Sequence, residues 1–514
     1  MSTSTTTTTT KAASTTMATD PSSSRNSYFP LVNDRDKAKP SVFDASKVHE
    51  RWPFVKGEMA PAQLYTTETG RLFHSGKIAI ITVGLPARGK THLSVALTRY
   101  FRWLGVTTHA FHLGDYRRAH CAPGQDVPPD YFFVNASPNS VLLRQNILRQ
   151  CRHDIFEFFD KHNGQIAIYD AVNPTAAGRR QLAKEFMKND IHPVFIESTC
   201  DDMKIIEENV RNVKIGSPDY AGWKPEDAVK DYLHRINVKI PHFETMEETE
   251  LDYIKMINAG ERIIVNNCRF GYLPNRIVFY LMNLHIKTRR TYFARSGLAI
   301  QDSYKADASL SEAGLDYARR LADTITKFRV EEHREQVARG GSEEERPLVV
   351  WTSTRVRTVQ TAAQLAAKGL KVRQRQQLSQ LNPGAVEGMD ENQIKALYPE
   401  ELEKHKKDPY HHRYPRSESY HDLAVRLEPI ILELEREHND LLIIAHESVL
   451  RVLYAYLMAC STADIPDMKF GRDEIVEIVP ASYNNLSRRI PIPKGIHADT
   501  PNTPFGFPPV FKNI

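Results

Sequence analysis

Residues Ile78 to Tyr100 read IAIITVGLPARGKTHLSVALTRY, and no other stretch constrains the chain as tightly. Six apolar residues, Ile78 to Val83, predict a buried strand. GLPARGKT follows, placing Gly84, Leu85, Pro86, Ala87, Arg88, Gly89, Lys90 and Thr91 in the pattern G-x-x-x-x-G-K-[ST]. Leu93, Ala96, Leu97 and Tyr100 then repeat at helical spacing. Strand, glycine loop and helix in this order form a phosphate cradle: glycines turn backbone N–H groups inward and the helix N-terminus adds partial positive charge. Lys90 is placed to reach β- and γ-phosphates, and Thr91 Oγ to hold Mg²⁺. The pattern predicts a bound nucleoside triphosphate.

The rest of the chain fits an α/β protein of two domains. It has 514 residues, enough for two domains and a tail. Strand-like runs at 78–83, 109–113, 165–170, 192–198 and 261–267 alternate with helical patterns, which predicts a parallel sheet covered on both faces. A second α/β unit begins near 284–286, with strands expected at 290–295, 347–353 and 440–446 and helices at 311–330, 356–367 and 447–458. The expected boundaries are a Ser/Thr-rich tail over 1–46, domains over 47–285 and 286–486, and a Pro/Gly-rich tail over 487–514. Residues 52–75 read as a short β-rich lead-in, and RGGSEEER (339–346) as a solvated insertion.

A net charge of +5 is too small to argue for nucleic acid. There is no run of 18 apolar residues for a membrane span and no apolar signal core. Five scattered cysteines without a CxxC pair predict reduced thiols and a cytoplasmic setting. The chain gives no reason against a homodimer.

Three further stretches cluster chemistry near the loop. Asp170 ends the buried run QIAIYD, where a carboxylate either orients Mg²⁺ or receives a hydroxyl proton, and where it can also simply cap a helix. FHLGDYRR puts Arg117 beyond the second strand, where substrates enter open α/β sheets; Arg144 and Arg179 are available from later helices. Asn209 and Lys214 lie in NVRNVKIGSPDY, placed to cover a γ-phosphate.

GLPARGKT, LGDYRR, IAIYDAVN, FIESTC, NVRNVKIGSPDY and YLHRI together resemble the kinase half of the 6-phosphofructo-2-kinase/fructose-2,6-bisphosphatase family, over about residues 70–485. The resemblance implies a P-loop kinase domain followed by a phosphoglycerate-mutase-like (histidine phosphatase) domain. It implies ATP and Mg²⁺ as cofactors, fructose 6-phosphate as substrate, and γ-phosphoryl transfer to the sugar 2-hydroxyl. Gly84–Thr91 and Asn209–Lys214 match its ATP segments, and Asp170 and Cys200 its active-site positions. Arg117, Arg144, Arg179, Lys214 and Arg235 match its fructose 6-phosphate positions, and Tyr483 a tyrosine near the nucleotide. Read from the residues alone, a lone buried thiol such as Cys200 is packing. Val172 and Lys239 depart from the family's Thr and Tyr, and the stretch to Arg179 is one residue longer.

The second unit resembles the histidine phosphatase superfamily with its chemistry removed. Arg295-Ser296-Gly297 stands where the superfamily has Arg-His-Gly, and Gln380 stands where it has a glutamic acid. Arg295, Arg357 and His446 of the phosphate pocket remain, and Arg413 and Arg416 match positions that bind the sugar bisphosphate. A serine hydroxyl is a weak nucleophile without a base, and an amide cannot protonate a leaving alcohol. The expectation is a kinase with an inactive phosphatase domain, kept either to bind a phosphate ester or simply as structure. A slow bifunctional enzyme, a non-catalytic sensor of phosphate esters and a different small-molecule kinase stay open beside it.

Overall fold

The computed structural model describes residues 60–63, 76–120, 128, 130–132, 135–200, 202, 206, 209–210, 225–268, 271–285, 289–338, 344–480 and 485–494, without the side chains at 225, 226, 228, 235 and 239. The β-rich lead-in, apart from 60–63, the N-terminal tail and the C-terminal tail beyond 494 lie outside the described residues, as does most of the 339–346 insertion.

Strand β1 (Lys77–Val83) runs into the loop and then into helix α1 (Lys90–Trp103). Strand β2 (Thr108–His112) leads to α2 (Leu113–His120) and α3 (Pro138–Lys161), and β3 (Ile166–Asp170) to α4 (Ala176–Met187). Strand β4 (Ile191–Thr199) precedes α5 (Pro225–Lys239), and β5 (Tyr253–Ile257) and β6 (Arg262–Asn266) precede α6 (Tyr272–Met282). The sheet order is β2-β3-β1-β4-β5-β6. β1 to β5 are parallel, and their apolar runs are buried on both faces. At the edge of this parallel sheet β6 pairs antiparallel with β5. A short crossover through Asn258–Gly260 joins the two, too short for a parallel return.

The second domain contains β7 (Thr291–Arg295), α7 (Glu312–Ala338), β8 (Leu348–Thr352), α8 (Val356–Ala367) and β9 (Lys371–Gln374). It continues through α9 (Glu391–Leu397), α10 (Pro399–Lys407), α11 (Tyr420–Arg426), α12 (Glu428–Arg436), β10 (Asp440–Ala445) and α13 (Glu447–Met458) to β11 (Glu474–Pro480) and β12 (Asn485–Pro491). Its sheet order is β12-β11-β7-β10-β8-β9, parallel from β7 to β9 with β11 and β12 antiparallel. β12 crosses the boundary expected at 486/487, so the chain to Pro491 is sheet and not tail.

The domains share a core. Leu93, Leu97, Tyr100 and Trp103 of α1 lie in one buried apolar cluster with Leu450, Leu453 and Tyr456 of α13. Trp103 meets Tyr456 edge-on at 5.5 Å and the Tyr100 hydroxyl donates to Glu428 of α12 at 3.0 Å, while within the first domain Tyr100 stacks on Tyr280 of α6 at 4.2 Å. Arg99 bonds Glu435 of α12 at 2.6 Å, a carboxylate that also accepts the Tyr456 hydroxyl at 2.6 Å.

Candidate active site and a second phosphate pocket

The loop after β1 is fixed by backbone conformations and cross-strand bonds. Gly84 has φ 138°, and a Cβ there would sit 2.5 Å from the Ser198 carbonyl oxygen. Gly89 caps α1 with φ 82°. Ala87 also lies at positive φ, 60°, a conformation unfavourable to a side chain, and its methyl is held in an apolar cluster with Cys200, Ile206, Val210 and Ile236. The Gly84 N–H donates to Val172 O at 3.1 Å, Ser198 Oγ to Arg88 O at 2.5 Å, and Asn209 Nδ2 to Ala87 O at 3.0 Å. Lys90 Nζ arches over the loop to Leu85 O at 2.7 Å.

Asp170, at the end of β3, faces this loop. Its Oδ2 accepts Thr91 Oγ1 at 2.9 Å and His112 Nδ1 at 2.7 Å, and its Oδ1 lies 3.3 Å from Thr82 Oγ1. Burial pushes its proton affinity up, but the bond to His112 and the charges of His112 and Lys90 outweigh that and hold the carboxyl below its ordinary value. The structure therefore brings Lys90, Thr91 and Asp170 together as an ionised carboxylate, a hydroxyl and an ammonium group around one glycine loop.

The expected sugar-binding arginines divide. Arg117 is half-buried with its guanidinium 5.1 Å from the Phe132 ring centre, and Arg144 is half-buried on α3. Arg179 is a correction. Its side chain is wholly buried; it bonds Glu248 at 2.7 Å and the carbonyls of Asn173, Glu244 and Thr245. A guanidinium enclosed by a carboxylate and three carbonyls ties α4 to the 244–248 loop and presents little to a ligand. Cys200 sits with Ala87 in the apolar cluster beneath the loop, a packing position. Lys214 and Tyr483 lie outside the described residues, and only the backbone of Arg235 is described.

The second pocket lies at the ends of β7 and β10. His446 caps α13, and Ser296 bonds through its backbone, from its N–H to Ala445 O at 3.0 Å and from Arg472 Nε to its carbonyl at 2.8 Å. Arg295 reaches Phe470 O at 3.1 Å and Glu447 at 3.3 Å, and Arg357 holds Asp302 at 2.7 Å. Burial first, then the charges of Arg295, Arg357, Arg472 and Arg451, hold His446 well below its ordinary value, so it is neutral at pH 7. Buried N–H groups of Arg295 (Nη2) and Arg472 (Nη1) have no protein partner. Buried guanidinium donors left over beside other arginines are the groups that an anion would need. Gln380 is buried, and the next residue's N–H bonds Ser448 Oγ at 3.2 Å, beside His446. Arg413 is exposed and bound to Asp422 at 2.6 Å, and Arg416 is exposed at φ 62°. The sequence reading missed His112, Arg472 and Arg451; His112 and Arg472 reach their sites from distant segments, while Arg451 lies a turn along α13 from His446.

Residues 65–288 match the 6-phosphofructo-2-kinase family and residues 300–490 match branch 1 of the histidine phosphatase superfamily. A Saccharomyces cerevisiae protein provisionally named 6-phosphofructo-2-kinase/fructose-2,6-bisphosphatase is 43% identical over 85% of this chain and 87% of its own length. The chain belongs to the 6-phosphofructo-2-kinase/fructose-2,6-bisphosphatase family. Other family members are similar over most of their length: human 6-phosphofructo-2-kinase/fructose-2,6-bisphosphatase 1 is 36% identical over 80% of this chain and 83% of its own. The S. cerevisiae fructose-2,6-bisphosphatase is 36% identical over 80% and 88%. A solved mycobacterial glucosyl-3-phosphoglycerate phosphatase, 23% identical, aligns over 39% of this chain and 95% of its own with a TM-score of 0.32. The family's two domains are the two α/β units described above, and its kinases use ATP. Among the described residues no helix is long and apolar enough to cross a membrane.

Proposed function

We propose that the first domain transfers the γ-phosphoryl group of ATP to the 2-hydroxyl of fructose 6-phosphate, giving fructose 2,6-bisphosphate, and that the second domain grips a phosphate ester without cleaving it. The observation that carries the first half is the ionised Asp170 bonded to Thr91 at 2.9 Å beside Lys90, within the span that matches the kinase family.

Each group then has a chemical task. The loop N–H groups and the α1 N-terminus bind phosphate oxygens, and Lys90 neutralises charge on the β- and γ-phosphates. Asp170 is placed to orient the acceptor and take its proton as the hydroxyl attacks in line. Thr91 Oγ1 and Asp170 Oδ2 are hard oxygen donors of the kind Mg²⁺ takes beside substrate phosphates, so these two residues would hold it. Bound there, Mg²⁺ supplies positive charge to the phosphoryl oxygens. Lys214, Arg117, Arg144 and Arg235 are proposed for phosphate and sugar contacts. The cytosolic setting is supported by free thiols at Cys151, Cys200, Cys268 and Cys460.

For the second half, Ser296 lacks a base: His446 Nδ1 is committed to Ser448, and Gln380 has no acidic proton. What remains is a set of arginines that hold an anion.

The test is one preparation in two assays. With ATP, Mg²⁺ and fructose 6-phosphate, ³¹P NMR should show ADP and a phosphoryl group on the sugar 2-oxygen; no product, or a phosphoryl group elsewhere, overturns the kinase reading. With 2-³²P-labelled product, release of phosphate near the rate of synthesis overturns the inactive-phosphatase reading.

A further inference from the structure

We propose that His112 is a positioning residue for phosphoryl transfer, holding the Asp170 carboxylate so that one oxygen is aimed at the reaction. The proposal rests on the assignment of Asp170 to the transfer site made above.

His112 closes β2 and Asp170 closes β3, and the two are partners in the parallel register. Neighbouring parallel strands in register present such a pair on one face of the sheet. Here that face ends at the phosphate loop. The His112 ring is buried, and its Nδ1 lies 2.7 Å from Asp170 Oδ2. An ionised carboxylate only accepts, so Nδ1 carries the hydrogen and the imidazole is the donor.

The two carboxylate oxygens are not equivalent. Oδ2 takes two donors, His112 Nδ1 at 2.7 Å and Thr91 Oγ1 at 2.9 Å. Among the described residues Oδ1 has only the long 3.3 Å approach of Thr82 Oγ1, a hydroxyl that also lies 2.9 Å from the Ala171 carbonyl. The second torsion of an aspartate is soft, so a carboxylate held at one point would turn. Two donors from two different elements, β2 and α1, fix its plane and leave Oδ1 as the oxygen with free lone pairs. Were Thr91 to hold a metal ion, His112 would be the clamp that remains from the strand side. Partners that orient a reacting carboxylate typically change activity by about 10–100-fold when removed.

The test uses the full chain, with initial rates of fructose 2,6-bisphosphate synthesis measured against both substrates. His112→Leu should lower kcat about 10–100-fold while the KM values for ATP and fructose 6-phosphate stay within about twofold. His112→Asn, whose amide N–H can stand where Nδ1–H stands, should recover most of kcat. His112→Gln, whose amide lies one bond farther out, should not. Equal kcat for wild type and His112→Leu overturns the proposal, as does equal impairment of the Asn and Gln variants at wild-type melting temperature. Should His112→Leu not fold, the Asn and Gln pair decides alone. Asp170→Asn, run in parallel, separates the two ideas. A nearly inactive Asp170→Asn beside a fully active His112→Leu overturns positioning only, while an active Asp170→Asn overturns the site assignment and the positioning with it.

Discussion

The two phosphate pockets of this chain are built on one plan and equipped for different ends. Each sits where a buried parallel strand hands over to a loop, with a helix N-terminus beside it: Gly89 caps α1 in one, His446 caps α13 in the other. In the first, a carboxylate kept ionised, a hydroxyl and a lysine converge on the loop. In the second, arginines converge on a neutral histidine and a serine that bonds through its backbone. Gripping phosphate takes positive charge and N–H donors, which both pockets have. Moving phosphate also takes a group that can accept or give a proton at the reacting oxygen, and in the function proposed above only the first pocket keeps one.

If that contrast is right, the second pocket can be re-armed. The double variant Ser296→His, Gln380→Glu should raise fructose 2,6-bisphosphate hydrolysis about 10⁴-fold or more, and Ser296→His alone should fall short of it by about 10²–10⁴. Phosphate release from labelled ester measures both. No gain would mean that the pocket has lost more than two groups. The reverse operation belongs to the first pocket: Lys90→Met should cut synthesis about 10²–10³-fold while leaving ester binding in the second pocket unchanged. A coupled ADP assay and calorimetry on the same preparation check the two halves of that statement.

A smaller effect tests the grip itself. Arg295→Met removes a buried donor group, and should weaken phosphate-ester binding by about 1.5–3 kcal/mol, with kcat for synthesis held within about twofold. Calorimetric titration of the full chain reads the first and rate assays the second. The smallest expected effect is on pH. His446 has a lower proton affinity folded than unfolded, so its contribution to stability is complete above its unfolded value of about 6.5 and is lost as pH falls below it. Melting temperature should therefore drop from pH 7 to pH 5. His446→Gln should flatten that slope by at most about 1.4 kcal/mol per pH unit. An unchanged slope would mean that His446 protonates freely, and the cationic crowding of the pocket would be wrong.

What was legible beforehand was local. IAIITVGLPARGKT carries its strand, its turn and its helix start within a few residues, and IAIYD and LLIIA are apolar runs that have no stable place but a buried strand. β5 (YIKMI) and β9 (KVRQ) are short and carry Lys or Arg, so their patterns are weak. Strand direction is not written in alternation, and the antiparallel β6 followed from crossover length instead. In the sites, the loop residues and Asp170 announced themselves by motif. The partners did not, because each depends on which strand or loop becomes a neighbour. His112 meets Asp170 across 58 residues, and Arg472 meets Ser296 across 176. Arg179 looked like a ligand arginine until Glu248, 69 residues on, enclosed it.

The shared core gives the second domain a reason to persist whether or not it performs chemistry. The helix that starts at the glycine loop leans its far end, Arg99, Tyr100 and Trp103, against Glu435, Glu428 and Tyr456 of the second domain. Cutting the chain between the domains would leave those rings and one half of a buried ion pair facing water. The second domain thus serves as the back wall of its neighbour, and heat should take both apart in a single transition.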